Sequence, residues 1–296
     1  MMYQVWMVRH YVRKGDLKRN AQIPEPEGVT SFRDIRYAKG FGKWHKLDVY
    51  RPSGVKGPLP LLVVVHGGGW MYGDKEIYHL YAKDLARRGF AVICYNYVLA
   101  PRKKFPYQLS ELDWALLWAK NHADEYGFDT TKVFLVGDSA GAQMSVQYCV
   151  AETNPDYAKS FSLQFPLQIC GLGLNCGTYV PLGTPYQEKN ENFIWPLYLG
   201  KHFDLKDPRY DILTPLNSHF PPCYVLTGEA DFIKNQNSYL VDVLKKNKIP
   251  YVFKEYTTKE GNKLQHVFHV TINEEHAILA NDEECAFFTK IIQGNC

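Results

Sequence analysis

The sequence predicts an α/β fold: a mostly parallel sheet flanked by helices. Three observations carry that expectation. Short apolar runs alternate with longer amphipathic segments along the chain, the pattern of strands joined by right-handed helical crossovers. Several runs are apolar throughout, as strands covered on both faces are. One run passes into a helical segment through Gly-Asp-Ser-Ala-Gly, Gly137 to Gly141, a sharp strand-to-helix corner.

In chain order, strands are expected at "HKLDVYRP" (45–52), "PLLVVVH" (60–66), "FAVICYNY" (90–97), "KVFLVGDS" (132–139), "FSLQFPLQI" (161–169), "PPCYVLTG" (221–228) and "YVFKEY" (251–256). The third to the last of these read as buried on both faces. Helices are expected near 75–89, 107–126, 140–153, 232–248 and 274–292, the last opening on a capping box of Thr271 with Glu274. Two segments fall outside the alternation. Residues 1–35 carry a possible short helix with Val5, Val8 and Val12 on one side. Residues 172–220 are rich in Gly, Pro, Asn and Tyr, with the aromatic cluster "FIWPLYLG" at 193–200. Both are expected to form a small cap on a single domain spanning 1–296.

At 296 residues the chain can bury a sizeable core without disulfides. Its net charge of +3, with no long basic run, gives no reason to expect a nucleic-acid partner. Seven cysteines, an odd count without a CxxC pair, read as buried free thiols in a reducing compartment. The N-terminus lacks the pattern of a signal peptide, and the longest apolar run, Leu59 to Val65, is too short to span a bilayer. A cytoplasmic protein without a membrane span is expected.

The corner around Ser139 raises a chemical question. Side chains two residues either side of so tight a turn would collide with the neighbouring strand and helix, and Gly137 and Gly141 remove them. The turn lifts the Ser139 hydroxyl above the sheet, at the positive end of the next helix: a nucleophile elbow. After the strand at 60–66 comes "HGGGW", His66 to Trp70. Consecutive glycines let backbone N–H groups approach an oxyanion closely. Gly68 and Gly69, with the N–H of Ala140, are the natural donors, and His66 would shape the loop.

A serine needs a base to take its proton and an acid to hold that base, and on such a sheet the chain order is Ser, acid, His. Asp231, in "GEADF", follows a strand's C-terminal end. "QHVFHV" then offers His266 and His269. Side chains three apart in an extended loop face opposite ways, so only one can be the base. His266 follows a polar stretch, whereas His269 lies in an apolar run that suits packing. No metal and no organic cofactor is required by this chemistry.

Taken together, "HGGGW", "YNYVLAPRKKFP", "GDSAG", "GEADF" and "HVF" resemble the hormone-sensitive-lipase branch of the α/β-hydrolase family, from about residue 60 to 268. The resemblance implies an eight-stranded, mostly parallel sheet, a cap, and hydrolysis of small carboxylic esters. It carries Ser139 over as nucleophile, Asp231 as acid, His266 as base, and Gly68, Gly69 and Ala140 as oxyanion donors. Two departures are visible: Ala142 where a further glycine is frequent, and Arg102, Lys103 and Lys104 where the family is usually acidic. The second is expected to alter the pocket rim. Closure by Phe193, Trp195, Tyr198 and the N-terminal segment would favour short acyl chains. An amide or formamide hydrolase, a carbohydrate acetyl esterase and a non-catalytic binding protein on the same fold are the alternatives.

Overall fold

A computed structural model describes residues 2–179, 194–204, 206–259 and 261–294. Among them, eight strands form one sheet in the order β1-β2-β4-β3-β5-β6-β7-β8. The strands are β1 (Val29–Arg36), β2 (Lys46–Pro52), β3 (Leu59–Val65), β4 (Ala91–Tyr95), β5 (Phe128–Asp138), β6 (Ile169–Asn175), β7 (Cys223–Gly228) and β8 (Tyr251–Tyr256). β1 and β2 pair antiparallel, as do β2 and β4; every other pairing is parallel. The connection leaving the C-terminal end of β3 runs to β4 on one side, and the connection leaving its neighbour β5 runs to β6 on the other. That is the topological switch point where open α/β sheets place their ligands.

The central strands are apolar because both faces are covered. Leu61 to Val65 and Ala91 to Tyr95 are at most 1% exposed. One face packs with the helices α3 (Tyr107–Asn121) and α5 (Ala140–Thr153), the other with α2 (Lys75–Ala86) and α9 (Glu275–Ile292). The short helices α4 (Ala123–Tyr126) and α6 (Pro155–Ala158) respectively precede β5 and follow α5, and α8 (Gln236–Lys246) connects β7 to β8. Asp74 caps α2 by accepting from the Ile77 N–H at 3.1 Å, which satisfies an otherwise orphaned donor.

Three expectations need correction. The strand placed at 161–169 is a loop. Its Gln164 and Phe165 N–H groups donate to the Asp113 carboxylate, each at 3.0 Å, and Pro166 has no N–H to give. The strand begins at Ile169 instead, the last residue of that run, and its second half, from Leu172 to Asn175, falls in the stretch read as cap. Its glycines are packing glycines: a Cβ on Gly171 would meet Ile291 Cδ1 at 2.8 Å, and one on Gly173 would meet Glu284 Oε1 at 2.2 Å. Second, residues 29–35 are sheet and not cap. β1 is a polar edge strand with its register shifted between Phe32 and Ile35, where Asp34 has φ 60°. Third, β8 is not covered on both faces; it is the opposite edge, and Phe253, Lys254 and Glu255 are exposed.

The N-terminal helix is longer than expected, α1 (Met2–Asn20). Within 172–220 the described helix is the short α7 (Ile194–Tyr198). Phe193, and the stretch 180–193 of the expected cap, lie outside the described residues. The capping box at α9 is replaced by a backbone bond from the Glu274 N–H to the Thr271 carbonyl, 2.9 Å long.

Candidate active site

The C-terminal ends of β3, β5 and β7 bring the expected residues to one place. Ser139 follows β5 and caps α5 with φ 50° and ψ −117°, a region costly for a non-glycine residue and held only when the surroundings dictate it. Its N–H donates to the Asn175 carbonyl on β6 at 2.9 Å. A Cβ on Gly137 would stand 2.6 Å from the Gly141 carbonyl, and one on Gly141 would stand 1.8 Å from the Val65 carbonyl oxygen. The crowding argument for the two glycines therefore holds at both.

The glycine loop leaves β3 beside this corner. Gly68 has φ 105° and no room for a side chain: a Cβ would lie 2.3 Å from the Tyr72 carbonyl oxygen. Gly69 has φ 57°, with only Ile194 near its Cβ position, at 3.5 Å. The Gly67 N–H is already used, by Asp138 Oδ1 at 3.2 Å and Tyr78 Oη at 3.3 Å. His66 shapes the loop, as expected. It is buried, stacks on Tyr97 at 4.1 Å and has Nδ1 2.8 Å from the Gly67 carbonyl oxygen. Burial drives its pKa down to about 4, so the ring is neutral.

Asp231 follows β7 and His266 lies in the loop after β8. His266 Nδ1 is 2.8 Å from Asp231 Oδ1. A carboxylate only accepts, so Nδ1 carries a proton. Asp231 also accepts from Thr227 Oγ1 at 2.9 Å and from the Ile233 N–H at 3.0 Å. Burial alone would raise its pKa; the hydrogen bond and charge of His266, with the Ile233 N–H, outweigh that and hold it below the ordinary carboxylate value. His269 is elsewhere. It is fully buried, neither ring nitrogen has a partner among the described residues, and burial pushes its pKa down to about 3.

Ser139, Ala140, Gly68, Gly69 and His266 line one cavity of about 450 Å³. Val8 and Val12 of α1, with Ile194 and Trp195 of α7, line it too. Trp195 and Tyr198 pack on Trp70, at 4.8 and 4.4 Å between ring centroids. Arg102, Lys103 and Lys104 are not among its lining residues. The first two lie over the Phe41 ring, at 4.8 and 5.2 Å, so the altered rim expected of them is not seen.

Sequence reasoning missed the supports. Asp138 is the second residue of the elbow motif, yet its use was not read. It is buried, accepts from Tyr78 Oη at 2.8 Å and ties the elbow to the glycine loop. Burial raises its pKa to about 6, with Tyr78 opposing. Cys176, just after β6, accepts from the Val267 N–H at 3.3 Å. Its sulfur, an Asp231 oxygen and a His266 nitrogen lie within 4.8 Å of one another, the cluster of metal-capable donors among the described residues. Two of its three members already hydrogen-bond each other, so the set reads as a bonded network.

The sequence pattern of the alpha/beta hydrolase fold family matches residues 62–270. The chain is 39% identical over 102 residues to the carboxylic ester hydrolase LipN of Mycobacterium tuberculosis, covering 34% of this chain and 27% of that protein. It is 34% identical over 128 residues to a versiconal hemiacetal acetate esterase of Dothistroma septosporum, covering 43% and 39%. It thus spans less than two thirds of the length of these relatives. Esterase B of Lactobacillus rhamnosis superposes with a TM-score of 0.90 at 24% identity, over 99% of this chain and 96% of that one, which shows the shared fold. With the sheet order, the elbow and a family match over most of its length, the chain belongs to the α/β-hydrolase esterase and lipase family.

Proposed function

We propose that the protein hydrolyses carboxylic esters through a serine acyl-enzyme, with Ser139 as nucleophile, His266 as base and Asp231 as the acid that orients it. The observation that carries this reading is the 2.8 Å pairing of His266 with Asp231 beside the strained Ser139 corner. Ser139 Oγ attacks the ester carbonyl and passes its proton to His266 Nε2. The tetrahedral oxyanion is held by the N–H groups of Gly68, Gly69 and Ala140, two of them on the glycine loop and the third opening α5. The imidazolium, stabilised by Asp231, then protonates the departing alcohol. Water attacks the acyl-enzyme by the same route in reverse.

The domain is read as single, with α1 and the α7 region as cap elements over the cavity. Small esters are the substrates proposed, and this chemistry asks for no cofactor. Buried free thiols at Cys94, Cys149, Cys176, Cys223 and Cys285 support a reducing compartment such as the cytoplasm; among the described residues no helix is long and apolar enough to cross a membrane.

The test is hydrolysis of p-nitrophenyl esters by the native chain and by Ser139→Ala. Turnover should fall roughly a million-fold, the scale of losing a triad nucleophile, and an organophosphate should label Ser139. A label on another serine with Ser139→Ala still active would sink the assignment. Matched ester and amide substrates separate this reading from an amidase, and faster turnover of the amide would replace it.

A further inference from the structure

The helix α1 turns several polar side chains toward the protein. Arg9 donates to the carbonyls of Met71 and Ala100, at 2.8 and 3.0 Å. Arg13 pairs with Asp74 at 2.6 Å, and Asn20 donates to the Ile77 carbonyl at 2.8 Å. Asp16, the helix's one acid, accepts from Tyr72 Oη at 2.5 Å and pairs with Arg19. The outward face is aromatic. Tyr3, Trp6, His10, Lys14 and Leu17 follow the three-and-four spacing of one helical stripe. Tyr3 is 70% exposed, Trp6 56%, Leu17 50%, and the neighbouring Tyr11 60%. The first three rings of the stripe stack in sequence, Tyr3 on Trp6 at 6.1 Å and Trp6 on His10 at 5.2 Å.

Exposed aromatic groups in a contiguous row mark a surface that meets something. Lys14 and Lys18 are exposed beside the rings, and no exposed residue of the helix is acidic. We propose that the outward face of α1 docks the protein on an anionic lipid surface, with the tyrosines and Trp6 at headgroup depth and Lys14 and Lys18 against lipid phosphates. Trp and Tyr favour that depth because one part of each ring system is apolar and the other hydrogen-bonds. The helix lies in the surface plane and does not span it. A second copy of this chain fits the charge less well, because two such faces would bring lysines together with no acid between them. The placement also has a functional sense. The opposite side of α1 lines the cavity through Val8 and Val12, and Phe232, 60% exposed, lines the same cavity. Docking would thus place lipid against a helix that forms part of the cavity wall.

The experiment is co-sedimentation with vesicles of phosphatidylcholine alone and of phosphatidylcholine mixed with phosphatidylserine. Binding is expected only to the mixed vesicles and should weaken with added salt. Each of Lys14→Ala and Lys18→Ala should weaken it about fivefold. Trp6→Ala with Tyr11→Ala should abolish it while p-nitrophenyl butyrate turnover stays that of the native chain. Lys14→Glu with Lys18→Glu, which leaves the rings in place, should also abolish it. The proposal fails if the native chain ignores the mixed vesicles, if the variants bind as well as it does, or if sedimentation velocity shows a dimer that Trp6→Ala dissociates. Because binding is read by sedimentation, its failure leaves the esterase reading untouched, and an inactive protein that still binds would leave the docking face intact.

Discussion

His266 and His269 sit three residues apart and are chemically alike, yet burial separates them completely. His266 reaches Asp231, while His269 is enclosed with an edge-on contact to Tyr81 at 5.2 Å. His266→Ala should therefore lose roughly a million-fold in turnover with little change in stability. His269→Ala should remain active once folded but lose about 1–3 kcal/mol of stability, as core truncations do. Steady-state kinetics with a thermal melt for each variant checks both, and inactivity of a folded His269→Ala would reverse the roles. The glycine loop makes a similar distinction. Gly68→Ala drives a Cβ into the Tyr72 backbone and must displace its own N–H, whereas Gly69→Ala meets only ordinary contact with Ile194 at a strained φ. Turnover should drop about 100- to 1000-fold in the first and less in the second. Equal kinetics in the two folded variants would refute the steric argument.

At the scale of elements, the site depends on what α1 and α7 do above the sheet. α1 is held by side chain to backbone bonds to the glycine-loop region and to the residues after β4, and not by an apolar seam; Val5 is its one fully buried apolar side chain among the described residues. A cavity closed by α1 and by the α7 aromatics should prefer short acyl chains, so kcat/KM should be higher for p-nitrophenyl butyrate than for the laurate. Arg9→Ala removes two charge-assisted bonds, each worth about 1.5–3 kcal/mol. It should raise KM and narrow the preference between the two esters. A native chain that favours laurate would show the cavity to be open at this end. Element boundaries were legible where strands were apolar and continuous, as at β3, β4 and β7, whereas β5 starts at Phe128, four residues before the apolar run read for it. They were not at β6, whose glycines imitate a loop because Glu284 and Ile291 occupy the space where side chains would stand.

For the whole molecule, the buried carboxyl of Glu284 couples folding to pH. It lies on α9 behind β6, takes a bond from Tyr81 Oη at 3.4 Å, and burial raises its pKa from 4.5 to about 8. Between those values the native protein keeps a proton that the unfolded chain has released. Stability should thus fall as pH rises across that window. Glu284→Gln keeps the shape and removes the titration. Its melting temperature relative to the native chain should rise between pH 5 and pH 8, and a constant difference would show that Glu284 stays ionised in the fold. The same packing joins the site to the core, since Glu284 contacts the β6 strand whose Asn175 carbonyl holds the Ser139 N–H.

The order of apolar runs determined the α/β class, and the glycines of two loops marked where the proposed nucleophile and oxyanion donors stand. Both are local properties: a strand buried on two faces must be apolar, and a corner without room must be glycine. What tertiary structure alone decided were the matters that depend on neighbours distant in sequence. It made Asp138 and Tyr78 a brace for the glycine loop, and turned a glycine-rich stretch into a central strand. It also left the three cations after "LAP" outside the cavity wall. Each of these turns on side chains tens of residues apart arriving within bonding distance, and such distances are fixed by packing.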